Sequence, residues 1–200
     1  GRPAEYRVAL IALPAAHRLK AGIRLALIQR ERTHTGAFVE VALDEAALTG
    51  LANQASNHLM AGHLPQPMGT LHPNIAPYGE VFVCVDGKNM VLAVGSNDQF
   101  KALCRVLDDP DLMRDQHFNN NERRVKNRNV LAQLLTQAIA KWQRDELLHA
   151  LTAAQVPAGA VRSLDEVLRT PAAQRMLCEE VIDGVRTLRI SGNAFRIEGY

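Results

Sequence analysis

Between Ala15 and Arg32 the apolar positions Leu19, Ile23, Ala26 and Leu27 recur at helical spacing, which predicts a first helix closed by Gly36 after Thr33-His34-Thr35. Ala37 to Leu43 alternates weakly and reads as a short strand. Asp44 is then placed to cap a long helix whose stripe is Leu48, Leu51, Ala52, Ala55 and Leu59, ending near Gly62. From His63 to Gly79 four prolines and two glycines break all periodicity. Two β-rich runs follow, Val81 to Val85 and Met90 to Val94, joined around Asp86-Gly87 as an antiparallel hairpin. Helices are expected from Asn97 or Asp98 to about Leu107, and from Asp109 as cap with Pro110 in the first turn. The strongest stripe is Leu131, Leu134, Leu135, Ala138, Ile139 and Trp142, with Asn127 or Asn129 as cap. Asp145 can open a further helix through Leu147, Leu148 and Leu151 that ends before Val156-Pro157. Ser163 with Glu166 forms a capping box. Val181-Ile182, Asp183-Gly184 and Val185 to Ile190 repeat the hairpin pattern. The reading is α+β, helix-rich with small antiparallel sheets, and without internal repeats.

Composition narrows the function classes. Of 200 residues 47% are hydrophobic and 22% charged, enough for a globular core. A formal net charge of +2 gives no concentrated positive field, so nucleic acid is not the expected partner. The apolar run Val8 to Ala16 is too short to cross about 30 Å of hydrocarbon, and no membrane partner is expected. Gly1-Arg2-Pro3-Ala4-Glu5 has no basic n-region and reads as a cut or processed end without a secretory signal. Cys84, Cys104 and Cys178 are widely spaced among apolar neighbours, which suits reduced thiols in a cytoplasmic protein. The seven histidines form no HxxxH or HExxH pair, and no metal site is expected.

Three stretches could carry chemistry. Gly69 to Gly79 gathers a titratable ring, an amide and a phenol, His72, Asn74 and Tyr78, beside rigid prolines; these either line a site or tie the loop to the sheet. Gly95-Ser96-Asn97-Asp98 marks a strand-to-helix passage whose backbone N–H groups either meet an anion or are capped by Asn97 or Asp98. The basic run Glu122 to Arg128 either holds a phosphate or forms a solvated face. GxSxG, P-loop and GxGxxG motifs are absent.

HPNIAPYGEVF at 72–82, VDGKNMVLAVGSNDQF at 85–100, DPDLMRDQHFNNNERRVKNR at 109–128 and VPAGAVRSLDEVL at 156–168 together resemble the class III CoA-transferases. That group includes formyl-CoA transferase, carnitine CoA-transferase and α-methylacyl-CoA racemase. AGIRLALIQRERTHTGAFVEVALDEAAL at 21–48 extends the resemblance upstream. It implies an enzyme that moves CoA between acyl groups through an aspartyl intermediate, or, in the racemase branch, one that deprotonates an α-carbon with a His and Asp pair. CoA or acyl-CoA enters as substrate, with no covalently bound cofactor.

The same resemblance places the family's aspartate at Ala12, and no Asp precedes Asp44, which matches a different family position. It implies no catalytic carboxylate in this chain, and an isolated chain without turnover; the alternative is a module that binds acyl-CoA or a partner without catalysis. His72, Asn74 and Tyr78 fall in a loop that shields the acyl group, and Asn97 and Asp98 beside it complete the expected substrate-binding set. Residues 1–62 resemble helices of the large domain, 63–79 the site loop, 80–192 the small α+β domain and 193–200 a shortened return segment. The N-terminal CoA-binding half of relatives has no counterpart here, so a homodimer or that missing half is the expected partner.

Overall fold

A computed structural model describes residues 8–192, 194–195 and 197–199. The expected processed start at 1–5 lies outside the described residues, as do 193, 196 and 200 of the return segment. The chain forms two compact units, Gly1–Pro67 and Met68–Tyr200.

In the first unit, α1 (Ala12–Thr33) is the expected amphipathic helix. It stops at His34, whose left-handed φ of 55° lets its N–H donate to the Arg30 carbonyl at 2.8 Å. Residues 35–42 are extended but form no strand, because no neighbouring strand among the described residues offers a ladder. This return segment runs close to α1: a Cβ on Gly22 would come within 2.7 Å of Val39 Cγ1. The expected long helix is two, α2 (Leu43–Gly50) and α3 (Ala52–Ala61). Ala52 takes a positive φ of 43° and the Leu51 N–H turns back to the Leu48 carbonyl, which interrupts the i→i−4 ladder just after Gly50. Asp44 does not cap: Ala42 precedes the helix and Asp44 sits in its first turn with Glu45.

The second unit is built on β1 (Tyr78–Val83), β2 (Asn89–Ala93) and a short β3 (Ala158–Ala160), antiparallel in the order β1-β2-β3. Gly87 turns the first hairpin with φ 73°. The inward side chains Phe82, Met90 and Leu92 share a core with four helices, α4 (Asn97–Val106), α5 (Pro110–Arg114), α7 (Arg128–Ile139) and α8 (Arg144–Ala153), while α6 (Asn121–Lys126) between them buries Arg124. Phe100, Leu103, Leu112, Leu131, Leu135, Ile139, Leu147 and Leu151 close this core. Each such side chain contributes about 1.5–3 kcal/mol by leaving water. Asp109 caps α5 through the Leu112 N–H at 2.9 Å, as its sequence predicts. Asn127 precedes α7 without capping it; its amide donates instead to the carbonyls of His117 and Arg123. Asp145 likewise lies inside the first turn of α8, behind Gln143 and Arg144.

Beyond the core come α9 (Leu164–Leu168), started by the Ser163/Glu166 capping box, α10 (Pro171–Gln174), and the hairpin β4 (Leu177–Ile182) with β5 (Val185–Ile190). Asp183 and Gly184 both take positive φ between these strands, the backbone that a two-residue hairpin turn requires. The architecture is α+β and helix-rich, with small antiparallel sheets. No helix among the described residues is long and apolar enough to cross a membrane.

Candidate functional site

The broken stretch before β1 folds into a tight loop. The His72 N–H donates to the Tyr78 carbonyl at 3.0 Å, and the His72 ring meets Tyr78 edge-on with 5.3 Å between centroids. His72 Nδ1 accepts the Asn74 N–H at 3.1 Å, which leaves Nε2 as the ring position for the proton of a neutral imidazole. Ala76-Pro77 is cis, and the Val94 N–H donates to the Pro77 carbonyl at 2.9 Å, joining the loop to the end of β2. Gly79 has φ 84°, and any side chain there would collide with the Thr70 carbonyl; only glycine lets the two backbones pass.

Beneath the loop lie three residues of the Asn-rich and basic stretch. Asn121 donates through Nδ2 to the Asn74 carbonyl at 2.7 Å and accepts the Ala76 N–H at 3.2 Å. Arg124 Nε donates to the Ala76 carbonyl at 2.8 Å, and its Nη1 to Asn97 Oδ1 and the Phe118 carbonyl, each at 3.1 Å. The same guanidinium lies 4.7 Å from the centroid of the Phe100 ring. Arg128 Nη2 donates to the carbonyls of His72 at 2.8 Å and Ile75 at 3.2 Å. Neither expectation for the basic run describes these two arginines: they are spent on backbone carbonyls, while Arg123 and Lys126 face solvent. Sequence reasoning missed Asn121, Arg124 and Arg128. Their i, i+3, i+7 spacing, one helical face, was the signal that could have found them.

At the second candidate stretch, Ser96 is the cap of α4, accepting the Gln99 N–H, and Gln99 Oε1 accepts the N–H groups of Gly95 at 2.9 Å and Ser96 at 3.1 Å. Those donors are thus engaged within the chain, and neither Asn97 nor Asp98 is the cap. Asn97 joins the loop through Arg124, whereas Asp98 is exposed and pairs with Lys101 at 3.6 Å. His72, Asn74, Tyr78 and Asn97 are brought into one cluster by these bonds, and Asp98 is left at its solvent side.

The second unit also buries titratable groups. Glu80 on β1 is buried, and burial pushes its carboxyl above the usual range against the opposing field of Arg128. Burial likewise raises the Cys84 thiol and lifts Cys104 to about 12, so both stay protonated and unreactive at neutral pH.

In the first unit, Ala12 is the opening residue of α1, with no side-chain cap and no acid in the first turn. It lines an open cavity of about 530 Å³ with Val8 to Ile11, Leu43, Asp44 and Ala47, in which Asp44 is the one carboxylate among the described residues.

Comparison with known proteins converges on one group. The profile of CoA-transferase family III matches residues 1–199. Succinate–glutarate CoA-transferase of Agrobacterium fabrum is 33% identical over 94% of this chain and 48% of its own. Acetyl-CoA:oxalate CoA-transferase of Acetobacter aceti is 34% identical over 90% of this chain and 45% of its own. Among solved structures, a CAIB/BAIF family protein from Brucella suis aligns with TM-score 0.69 and 34% identity over 98% of this chain and 51% of that one. Rv3272 from Mycobacterium tuberculosis, at 24% identity, shares the fold with TM-score 0.82 over 98% of this chain and 52% of its own. The chain thus spans about half the length of the relatives it matches. With the loop and helix motifs of the second unit matched in one continuous stretch, this protein belongs to CoA-transferase family III.

Proposed function

We propose that this chain is part of an acyl-CoA:carboxylate CoA-transferase whose nucleophilic position is held by Ala12, and that the chain alone does not turn over. In the aspartyl route, a carboxylate attacks the thioester, a mixed anhydride forms and CoA thiolate leaves. The thiolate then attacks the aspartyl carbonyl, releasing the donor acid and leaving an aspartyl-CoA thioester. The acceptor carboxylate attacks that thioester, expelling thiolate again, and return of the thiolate to the acceptor's acyl carbon regenerates the aspartate. The first step needs a lone pair of the enzyme's carboxylate and every later step acts on an acyl derivative of that group; an alanine methyl can supply neither. The observation that carries this reading is Ala12 at the start of α1 without an acid in the first turn.

In this reading His72, Asn74, Tyr78 and Asn97 face the acyl-CoA, with Asp98 at the rim, and the protein works in the cytoplasm. The functional divisions are residues 1–62, the loop 63–79, the small domain 80–192 and the return segment 193–200. The exposed apolar residues Leu13, Leu25, Ile28 and Phe38 of the first unit support a second copy or an N-terminal half as the partner that covers them. Ala12 also favours a second reading, a module that binds acyl-CoA without turnover.

Mixing the chain with acetyl-CoA and a free acid, and following exchange by mass, tests the first reading: turnover by the chain alone overturns it. Calorimetry with CoA separates the two readings from a purely structural role, in which no heat develops at millimolar ligand.

A further inference from the structure

We infer that Arg124 is a positioning residue: its guanidinium fixes the His72–Pro77 loop and the start of α4 in one geometry. That this geometry serves an acyl-CoA rests on the function proposed above; the positioning itself rests on contacts.

Arg124 is 0% exposed, and no ion pair among the described residues joins it to a carboxylate. A buried cation without a counter-ion is costly, and a hydrophobic side chain of similar volume would fill the space at lower cost. What such a replacement cannot supply is direction. Nε and Nη1 of one planar fork reach Ala76 in the loop, Asn97 at the head of α4 and Phe118 in the connection before α6, while the Phe100 ring supports its face. A lysine ammonium has no second fixed nitrogen to span these acceptors. Asn121 and Arg128 complete the hold, so that the carbonyls of His72, Asn74, Ile75 and Ala76 are all engaged from α6 and α7. Bonds to four carbonyls within the five residues 72–76 leave the loop little freedom to rearrange for a ligand, and binding to it requires no ordering step. Asn97 is tied to the same guanidinium, so a shift at the loop is transmitted to α4.

The test compares Arg124→Lys, Arg124→Ala and the parent chain by amide hydrogen exchange, by the ring resonances of His72, and by acetyl-CoA titration. Loss of charge-assisted bonds predicts exchange at Asn74 and Ala76 about tenfold faster in Arg124→Lys, with the amides of the β1–β2 hairpin unchanged and the His72 ring signals shifted. Millimolar guanidinium should restore slow exchange to Arg124→Ala, and ammonium should not. Unchanged loop amides, or loop and hairpin loosening together, would overturn the inference. If Arg124→Ala does not fold, Arg124→Lys decides alone. Acetyl-CoA affinity should fall in Arg124→Lys; equal affinity in both proteins overturns the link to the ligand. No binding by the parent chain removes the functional reading and leaves positioning to be judged by exchange.

Discussion

In the 22 residues of α1 Ala15 is the one buried side chain, whereas the 10 residues of α4 bury Phe100, Leu103 and Cys104. Both helices carry an apolar stripe in the sequence, yet only the second is buried along that stripe within its own unit. The Met68–Tyr200 unit closes a core between a three-stranded sheet and four helices; the Gly1–Pro67 unit leaves Leu25 at 68% and Phe38 at 89% exposure. Hydrophobic periodicity therefore reports that a face is to be covered, and leaves open by what.

The largest expected effect breaks the comparison at that difference. Leu135→Ala, in the closed core, should cost about 2–5 kcal/mol, and Leu25→Ala, on the exposed face of α1, no more than about 0.5 kcal/mol. Denaturant unfolding of both variants checks this. A comparable loss from Leu25→Ala would mean that the α1 face is already covered in solution, and that the two units differ less than their exposures imply.

Gly79→Ala acts at the boundary of loop and sheet. Its positive φ and the approach of the Thr70 carbonyl predict a loss of at least about 1–3 kcal/mol, with the loop displaced more than the hairpin beyond it. Thermal unfolding gives the magnitude, and exchange at the His72 amide, bonded to the Tyr78 carbonyl, gives the location. Next in size is Ser96→Ala, which removes one side of a capping box and should cost about 1 kcal/mol. If Asn97→Ala matched it, the lost bond would be the one to Arg124, since Asn97 is not the cap.

Much of the second unit was legible because its punctuation is local. Asp86-Gly87 and Asp183-Gly184 specify turns through backbone preference, and Ser163 with Glu166 specifies a helix start, whatever packs around them. What sequence reasoning missed depended on distant partners. Ala37 to Leu43 has a strand's composition and lacks a strand to pair with among the described residues. The stripe from Leu48 to Leu59 is continuous in the sequence, yet the chain bends at Leu51-Ala52. Of the candidate site, His72, Asn74 and Tyr78 were visible as a polar cluster among prolines. The residues that hold them were hidden in a basic run, because charge predicts exposure unless carbonyl acceptors converge on it. Asn97 reads in the sequence as a candidate cap, but the cap is Ser96, and the Asn97 amide oxygen meets Arg124.

The smallest effect sharpens the comparison from inside the closed unit. Glu80 is 6% exposed on β1, and burial holds its carboxyl above the ordinary range, so between the unfolded and folded values the unfolded chain has released a proton that the folded chain retains. Stability contributed by this site is therefore greatest at acid pH, below the unfolded value, and is lost as pH rises through the carboxylate range to the raised folded value. Glu80→Gln keeps the shape and removes the titration. Its stability relative to the parent should be lower or equal at pH 4 and should improve steadily toward pH 7, read as the difference in denaturation midpoints across that range. A difference independent of pH would mean that Arg128 compensates the carboxylate fully, and that the neighbourhood of the loop is electrostatically balanced. A difference that grows with pH would mark the β1 end of the site as carrying an uncompensated buried charge, which nothing described in the first unit reproduces, since the acids of α2, Asp44 and Glu45, are exposed.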